Sequence, residues 1–314
     1  MIELDGLTKR FGEATAVGDL SFTVDQGELF GLVGPDGAGK TTTLRMLAGV
    51  LRPSAGDATV AGVSVARAPE RVKPRIAYMS QRFGLYADLT VAENLHFYAD
   101  LYRVPRGERR ERLARLFEFS GLGPFRDRLA GKLSGGMKQK LGLSCALVHR
   151  PEVLLLDEPT FGVDPVSRRE LWLIVHEMVA EGVTALVSTA YLDEAERFDR
   201  LALLHEGRLL ALDAPAALQA GFAGEVLEVA VEEPRRVRAA AAGIPGVGRA
   251  TVFGDRLHLT VESAEAAAPE VERALREAGA GPTSLRSVRP SLEDVFIEQV
   301  SSQETRRDDG ETEH

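Results

Sequence analysis

Residues 34–41 read Gly34-Pro35-Asp36-Gly37-Ala38-Gly39-Lys40-Thr41, and few segments restrict a fold as tightly. The loop follows Leu29-Phe30-Gly31-Leu32-Val33, a short apolar run ending at glycine that suits a buried strand. Thr41-Thr42-Thr43-Leu44-Arg45-Met46-Leu47 then continues as a helix. A strand, a glycine loop and a helix in that order make a cradle for phosphates. Successive backbone N–H groups and the helix N-terminus attract an anion, and side chains at 34, 37 and 39 would obstruct its approach. Lys40 is then expected to reach the β- and γ-phosphates of a nucleoside triphosphate, and the Thr41 hydroxyl to ligate Mg²⁺.

A second apolar run, Val153-Leu154-Leu155-Leu156, ends in Asp157-Glu158. Unbroken hydrophobicity suits a central strand covered on both faces. Behind a phosphate loop, Asp157 can hold Mg²⁺ through water, and Glu158 is placed to polarise an attacking water as general base. Strand-like stretches at 183–189 and 201–204 alternate with helical ones, as in a parallel sheet. Residues 2–30 read instead as antiparallel strands, with Ile2-Glu3-Leu4 and Leu20-Ser21-Phe22-Thr23-Val24 alternating between apolar and polar. Residues 85–130 are rich in arginine and helix formers, which reads as helices with solvated, charge-paired faces.

Between the two apolar runs stands Leu133-Ser134-Gly135-Gly136-Met137. With the three motifs in this order, residues 1–220 resemble the ATP-binding subunit of an ABC transporter. The fold expected is α/β: a P-loop NTPase core with an antiparallel β subdomain and a helical subdomain at about 82–135. The resemblance implies ATP with Mg²⁺ as ligand, Lys40, Gln81 and Glu158 as the catalytic set, and Thr41, Gln81 and Asp157 around the metal. Pro35, Asp36, Ala38 and Thr42 complete the nucleotide-binding stretch. Ser134, Gly135 and Gly136 would contact the γ-phosphate of ATP held by a second ABC subunit, in a homodimer or a heterodimer. Asp164, in Phe161-Gly162-Val163-Asp164, would communicate between the paired subunits, and the adenine would stack on Phe11. Taken without the resemblance, Gln81 reads as a surface glutamine and Phe11 as a core aromatic.

Three positions depart from the common pattern of that family. Met137 stands where glutamine is usual and Asp36 where asparagine is usual; the aspartate adds like-charge repulsion beside a triphosphate. Ala190 stands where the family places a histidine against the γ-phosphate and the attacking water. A methyl group performs neither task, so the site built on Lys40 and Glu158 is expected to be slow. A heterodimer with a subunit that carries the histidine would keep one competent site. The glycine loop and Pro290-Ser291-Leu292-Glu293-Asp294-Val295-Phe296 look like multidrug-type exporters. ATP binding would close the dimer and drive a separate membrane permease docked near Gln81 and residues 85–130. The alternative is a nucleotide-dependent regulatory clamp with little turnover.

Residues 221–300 show a different order, β-α-β-β-α-β, with a hairpin around Gly254-Asp255 and a last helix at 291–300. That order is ferredoxin-like. Residues 301–314 are polar, mostly acidic and expected to be disordered. A composition of 44% hydrophobic and 27% charged residues is that of a globular protein. No apolar run is long enough to span a bilayer and the first residues lack a secretion signal. The expected location is therefore cytoplasmic, on the inner face of the membrane through the permease. The net charge of −9 argues against nucleic acid as a partner, and a single cysteine, Cys145, excludes an internal disulfide.

Overall fold

The computed structural model describes residues 1–81, 84–281 and 284–311, with side chains to residue 303. It forms two compact units, Met1–Ala214 and Pro215–His314.

The first unit contains two sheets. In the antiparallel one, β1 (Ile2–Phe11) pairs with β2 (Ala14–Val24) and with β4 (Ala55–Val60), and β5 (Val63–Ser64) adds an edge. Its residues alternate as the sequence does: Ile2 and Leu4 face inward, Glu3 and Asp5 outward. The second sheet has six strands, in the order β10-β9-β3-β8-β7-β6. Here β3 (Leu29–Val33), β7 (Val153–Asp157) and β8 (Thr184–Thr189) are buried along their whole length. Strands β6 (Ile76–Met79) and β9 (Arg200–His205) extend it, and all neighbours from β6 to β9 run parallel. Only β10 (Arg208–Asp213) returns antiparallel, after the turn Glu206-Gly207, where both residues have positive φ.

Helix α1 (Lys40–Leu47) lies in the core shared by the two sheets, where Leu44 and Met46 cluster with Phe22, Phe30, Leu155 and Leu186. Each such side chain contributes about 1.5–3 kcal/mol on burial. After the short α2 (Pro69–Val72), the arginine-rich region forms α3 (Val91–Leu101) and α4 (Arg106–Ser120), followed by α5 (Gly135–Leu147). The start of α3 is fixed reciprocally. Thr90 Oγ1 accepts from Glu93 N at 3.1 Å, and Glu93 Oε2 accepts from Thr90 N at 2.8 Å. Asn94, fully buried, donates to the carbonyls of Tyr86, Leu89 and Thr90 and so binds the preceding loop to the helix. Arg109 and Arg112 of α4 pair with Asp100 and Glu108, but both are largely covered and also donate to the Val104 and Val148 carbonyls. Helix α6 (Pro165–Ala180) crosses between β7 and β8. No helix among the described residues is long and apolar enough to cross a membrane.

The second unit begins with α7 (Pro215–Ala220), so residues 215–220, read from the sequence with the first unit, group with the second. One tie is the Arg289 guanidinium, which donates to the Ala216 carbonyl. An antiparallel sheet follows, built from β11 (Glu225–Ala230), β12 (Val247–Phe253), β13 (Arg256–Val261) and β14 (Ser284–Val288). Its order, β12-β13-β11-β14, is that of the ferredoxin-like arrangement. Helices α8 (Pro234–Ala242) and α9 (Ala264–Glu277) bury Val237 and Val271 against Leu227, Val229, Leu257 and Leu259.

The last helix, α10, spans Leu292–Glu311 and so enters the segment expected to be disordered. Its start is well nucleated: Ser291 N and Oγ donate to Asp294 Oδ2 at 2.8 and 2.7 Å, and Asp294 N donates back to Ser291 Oγ at 3.2 Å. Once nucleated, a helix adds residues without a new nucleation penalty, and 301–309 holds neither proline nor glycine. The remainder of the segment expected to be disordered, 312–314, lies outside the described residues.

Candidate nucleotide site

The glycine loop leaves β3 at Val33 and turns into α1. Gly34 N donates to the Thr189 carbonyl at the end of β8, at 3.3 Å. A Cβ on Gly34 would lie 2.2 Å from the Leu204 carbonyl oxygen, so only glycine seats the loop there. Gly39 caps α1 at φ 95°, a left-handed conformation that glycine adopts without steric penalty. Lys40 folds back over the loop and is only 4% exposed. Its Nζ donates to the Gly34 and Pro35 carbonyls at 2.7 and 3.0 Å and stands 3.3 Å from Glu158 Oε1. Together with Gly37, Ala38, Gly39, Thr41, Thr42 and Gln81, Lys40 and Glu158 line a cleft of about 450 Å³ that Ala16 and Asp36 complete.

The opposite wall is the end of β7. Asp157 Oδ1 accepts from Thr41 Oγ1 at 2.8 Å and from Ser188 Oγ at 2.9 Å, and Oδ2 from the Tyr78 hydroxyl at 3.3 Å. Burial, followed by the negative charge of Asp157, pushes the Tyr78 phenol up to about 12, although Arg45 works against it. It therefore stays a donor at neutral pH. Glu158 has φ 49°, an uncommon conformation for glutamate that costs on the order of 1–3 kcal/mol. Two hydrogen bonds from its N–H, to the Ser188 carbonyl at 3.2 Å and to Ser188 Oγ at 3.0 Å, hold the turn. The side chain thereby enters the cleft, with Oε1 toward Lys40 and Oε2 accepting from Gln81 Nε2 at 2.9 Å.

Lys40, Thr41, Gln81, Asp157 and Glu158 are thus brought to one place. Phe11 is not in the core: it ends β1, 53% exposed, with the Lys9 ammonium 5.2 Å from its ring centroid. The residues Ser134, Gly135, Gly136 and Asp164 gather elsewhere, where the N-termini of α5 and α6 meet. Ser134 Oγ accepts from Met137 N at 3.3 Å, and Asp164 Oδ1 from Ser167 N at 3.0 Å. Hydrogen bonds from Ser167 hold the Asp164 carboxyl below the usual carboxylate range. Gly136 is pressed against α6, since a Cβ there would lie 2.2 Å from Ser167 Cβ. Ala190 follows β8 directly and is exposed.

Ser188, Tyr78 and Ala16 were not legible as site residues. For Ser188 the signal is a hydroxyl closing the apolar run Ala185-Leu186-Val187, next to a strand that ends in acids. The oxygens of Thr41, Asp157 and Gln81 are hard donors of the kind Mg²⁺ prefers. With the loop amides and Lys40 supplying positive potential, these residues fit a magnesium-bound nucleoside triphosphate.

The strand, glycine loop and helix beside an acid-ended parallel strand define a phosphate-loop nucleotide-binding domain. The sequence profile of the ABC transporter family matches residues 17–161, and that of the C-terminal domain of DrrA1-3-like ATP-binding proteins matches 214–300. The probable multidrug ABC transporter ATP-binding protein YbhF of Escherichia coli (strain K12) is 47% identical over 302 residues. That alignment covers 95% of this chain but 52% of YbhF, so the chain spans about half the length of that relative. The daunorubicin resistance ATP-binding protein DrrA2 of Streptomyces coeruleorubidus is 38% identical over 301 residues, 94% of each chain. Among solved structures, an ATP-binding subunit of an ABC transporter superposes with a TM-score of 0.64 at 32% identity. It covers 70% of this chain and 92% of its own. The chain belongs to the family of ABC transporter ATP-binding proteins.

Proposed function

We propose that this chain hydrolyses ATP to drive export through a separate membrane permease. One observation carries the reading: Glu158 is held between Lys40 and Gln81 while its neighbour Asp157 is tied to Thr41. Lys40 neutralises phosphate charge at the start of α1, and the loop amides receive the phosphate oxygens. Thr41, Asp157 and Gln81 would hold Mg²⁺, which when bound would add charge neutralisation on the phosphates. Glu158 takes the proton of the attacking water, with Gln81 fixing one of its oxygens. Phe11, exposed at the end of β1, offers a face to the adenine.

The separation of Ser134, Gly135, Gly136 and Asp164 from the Lys40 cleft supports their serving nucleotide held by a second subunit. ATP would then close a dimer, and hydrolysis would reopen it. Export is supported by the names of the relatives, which concern multidrug transport and daunorubicin resistance. The location that follows is the inner face of the membrane, through the permease.

Ala190 sets the finer prediction. With a methyl group at that position the chain's own site is slow, and a partner subunit with histidine there would carry most of the turnover. The same residue favours a second reading, a regulatory clamp in which occupancy rather than turnover matters. ATP turnover by the purified chain, beside Glu158→Gln and Ala190→His, separates these. A slow wild type, accelerated by Ala190→His and abolished by Glu158→Gln, supports the motor with a restrained site. A fast wild type insensitive to position 190 removes the restraint. Turnover that survives Glu158→Gln removes the role assigned to Glu158.

A further inference from the structure

Behind the two acids lies a buried carboxylate to which the mechanism above gives no role. Glu194, 1% exposed, sits in the connection from β8 to β9. Its Oε2 accepts from Thr160 Oγ1 and from Thr189 Oγ1, each at 2.9 Å. Its Oε1 accepts from Trp172 Nε1 at 3.2 Å and faces Arg168 Nε at 3.6 Å. Each of these four groups presents a hydrogen, and the Thr189 hydroxyl is further engaged as acceptor from Tyr191 N at 3.0 Å. A carboxylate, with acceptor capacity on both oxygens, meets such a set. A carboxamide meets it less well: one orientation turns its NH₂ toward Trp172 and Arg168, which can only donate, and the other turns it toward the two threonine hydroxyls, which must then give up their own hydrogen bonds to it.

The partners share a location. Thr160 lies two residues beyond Glu158. Thr189 follows Ser188, which donates to Asp157 and receives the Glu158 N–H. The Thr189 carbonyl also accepts from Gly34 N in the phosphate loop. Trp172 and Arg168 belong to α6, which Asp164 caps. One carboxylate therefore ties together the loop that carries Glu158, the strand end that touches the phosphate loop, and the helix after Asp164.

We infer that Glu194 is a positioning residue for hydrolysis. It keeps the 158–160 loop in the register with β8 in which Ser188 meets both acids, and it does so without touching nucleotide. This rests on the reading of Glu158 as the base. Nucleotide affinity depends on Lys40, Thr41 and the glycine loop, none of which is hydrogen-bonded to Glu194. Its loss should consequently fall on kcat and leave binding nearly intact.

The test uses the full chain as Glu194→Gln, Thr160→Val, Thr160→Ser and Glu158→Gln. Steady-state ATP turnover, titration with a fluorescent ATP analogue and melting temperature are measured for each. Glu194→Gln is expected to lower kcat about tenfold or more while KM and analogue affinity stay within about threefold, as for a misplaced catalytic group. Thr160→Val should follow it in milder form, and Thr160→Ser, which keeps the hydroxyl, should retain the wild-type rate. If Glu194→Gln fails to fold, the Val and Ser pair at position 160 decides the matter. A folded Glu194→Gln or Thr160→Val chain with wild-type kcat overturns the inference, as does a loss of affinity that matches the loss of rate. Full turnover by Glu158→Gln overturns instead the reading of Glu158, and this inference with it.

Discussion

The hydroxyl of Thr41, on the first turn of α1, donates to Asp157 Oδ1 at 2.8 Å across 116 residues of sequence. The phosphate loop and the acid-ended strand are thus joined directly. Asp157→Asn removes the negative charge and sets an amide among the Thr41, Ser188 and Tyr78 donors. Affinity for ATP in the presence of Mg²⁺ should fall on the order of tenfold or more, by analogy with lost metal-orienting groups. Affinity with EDTA should change little. Equal losses under both conditions would show that Asp157 acts only on the fold.

Adjacent glycines of the Ser134-Gly135-Gly136 stretch should respond differently to alanine. At Gly136 a Cβ would lie 2.2 Å from both Ser167 Cβ and Oγ, whereas at Gly135 the nearest atom is 3.9 Å away. Gly136→Ala must part α5 from α6 and should destabilise the chain by about 1–3 kcal/mol. Gly135→Ala should be neutral, or stabilising by about 0.5–1 kcal/mol through helix propensity. Urea denaturation followed by the fluorescence of Trp172 measures both, and equal effects would refute the packing argument.

Phe11 is half exposed at a strand end, so truncation should barely change stability. If it carries the adenine, Phe11→Ala should weaken ATP binding by about 1–3 kcal/mol, the range for a base on an aromatic ring. Binding of inorganic triphosphate should not change. An unaltered ATP affinity would remove Phe11 from the site.

What the sequence made legible was local. Leu29–Val33 and Val153–Asp157 are buried throughout, and their unbroken apolar runs announced it. Of the loop glycines, Gly34 and Gly39 stand where a Cβ would meet the Leu204 and Ala16 carbonyls, whereas Gly37 has open space around it and a positive φ. Ser188, Tyr78 and Glu194 stayed hidden because each acts only once distant segments meet: Glu194 follows Thr160 by 34 residues and Trp172 by 22. Nothing in Leu192-Asp193-Glu194-Ala195 distinguishes its buried acid from the exposed Asp193 beside it. Beyond residue 300 a polar sequence gives no local sign of the helix that the Ser291–Asp294 cap nucleates.

The second unit should show a pH dependence of its own. His258 Nδ1 lies 3.0 Å from both oxygens of Asp294, Nε2 lies 3.6 Å from Glu228 Oε2, and the Phe253 ring packs at 4.4 Å. Burial disfavours the imidazolium, but Asp294 and Glu228 outweigh it and raise the pKa above its ordinary 6.5. Burial likewise opposes both carboxylates. His258 and Ser291 nevertheless hold Asp294 below the usual range, and Arg286, Arg256 and His258 do the same for Glu228. The stabilisation from His258 is complete below its ordinary pKa and is lost as pH rises through the raised folded value. That from the two acids is present above their ordinary pKa and is lost as pH falls through the depressed values. His258→Gln should therefore destabilise this unit more at pH 5.5 than at pH 8.5, by about 1–3 kcal/mol for the charge-assisted bonds. Trp172 lies in the first unit, so amide hydrogen exchange across β13 is the readout. The same penalty at both pH values would exclude the imidazolium.

The end of β8 is anchored by residues 188 and 189: Ser188 grips both acids, and Thr189 holds the phosphate loop and Glu194. Position 190, one step further, is exposed and contributes nothing to that scaffold beyond its backbone. Selection can therefore exchange the side chain at 190 without disturbing the architecture behind it. On the proposed reading of Ala190, the residue that sets the rate of hydrolysis and those that hold the fold together are chain neighbours, and the first can be changed while the second stay constant.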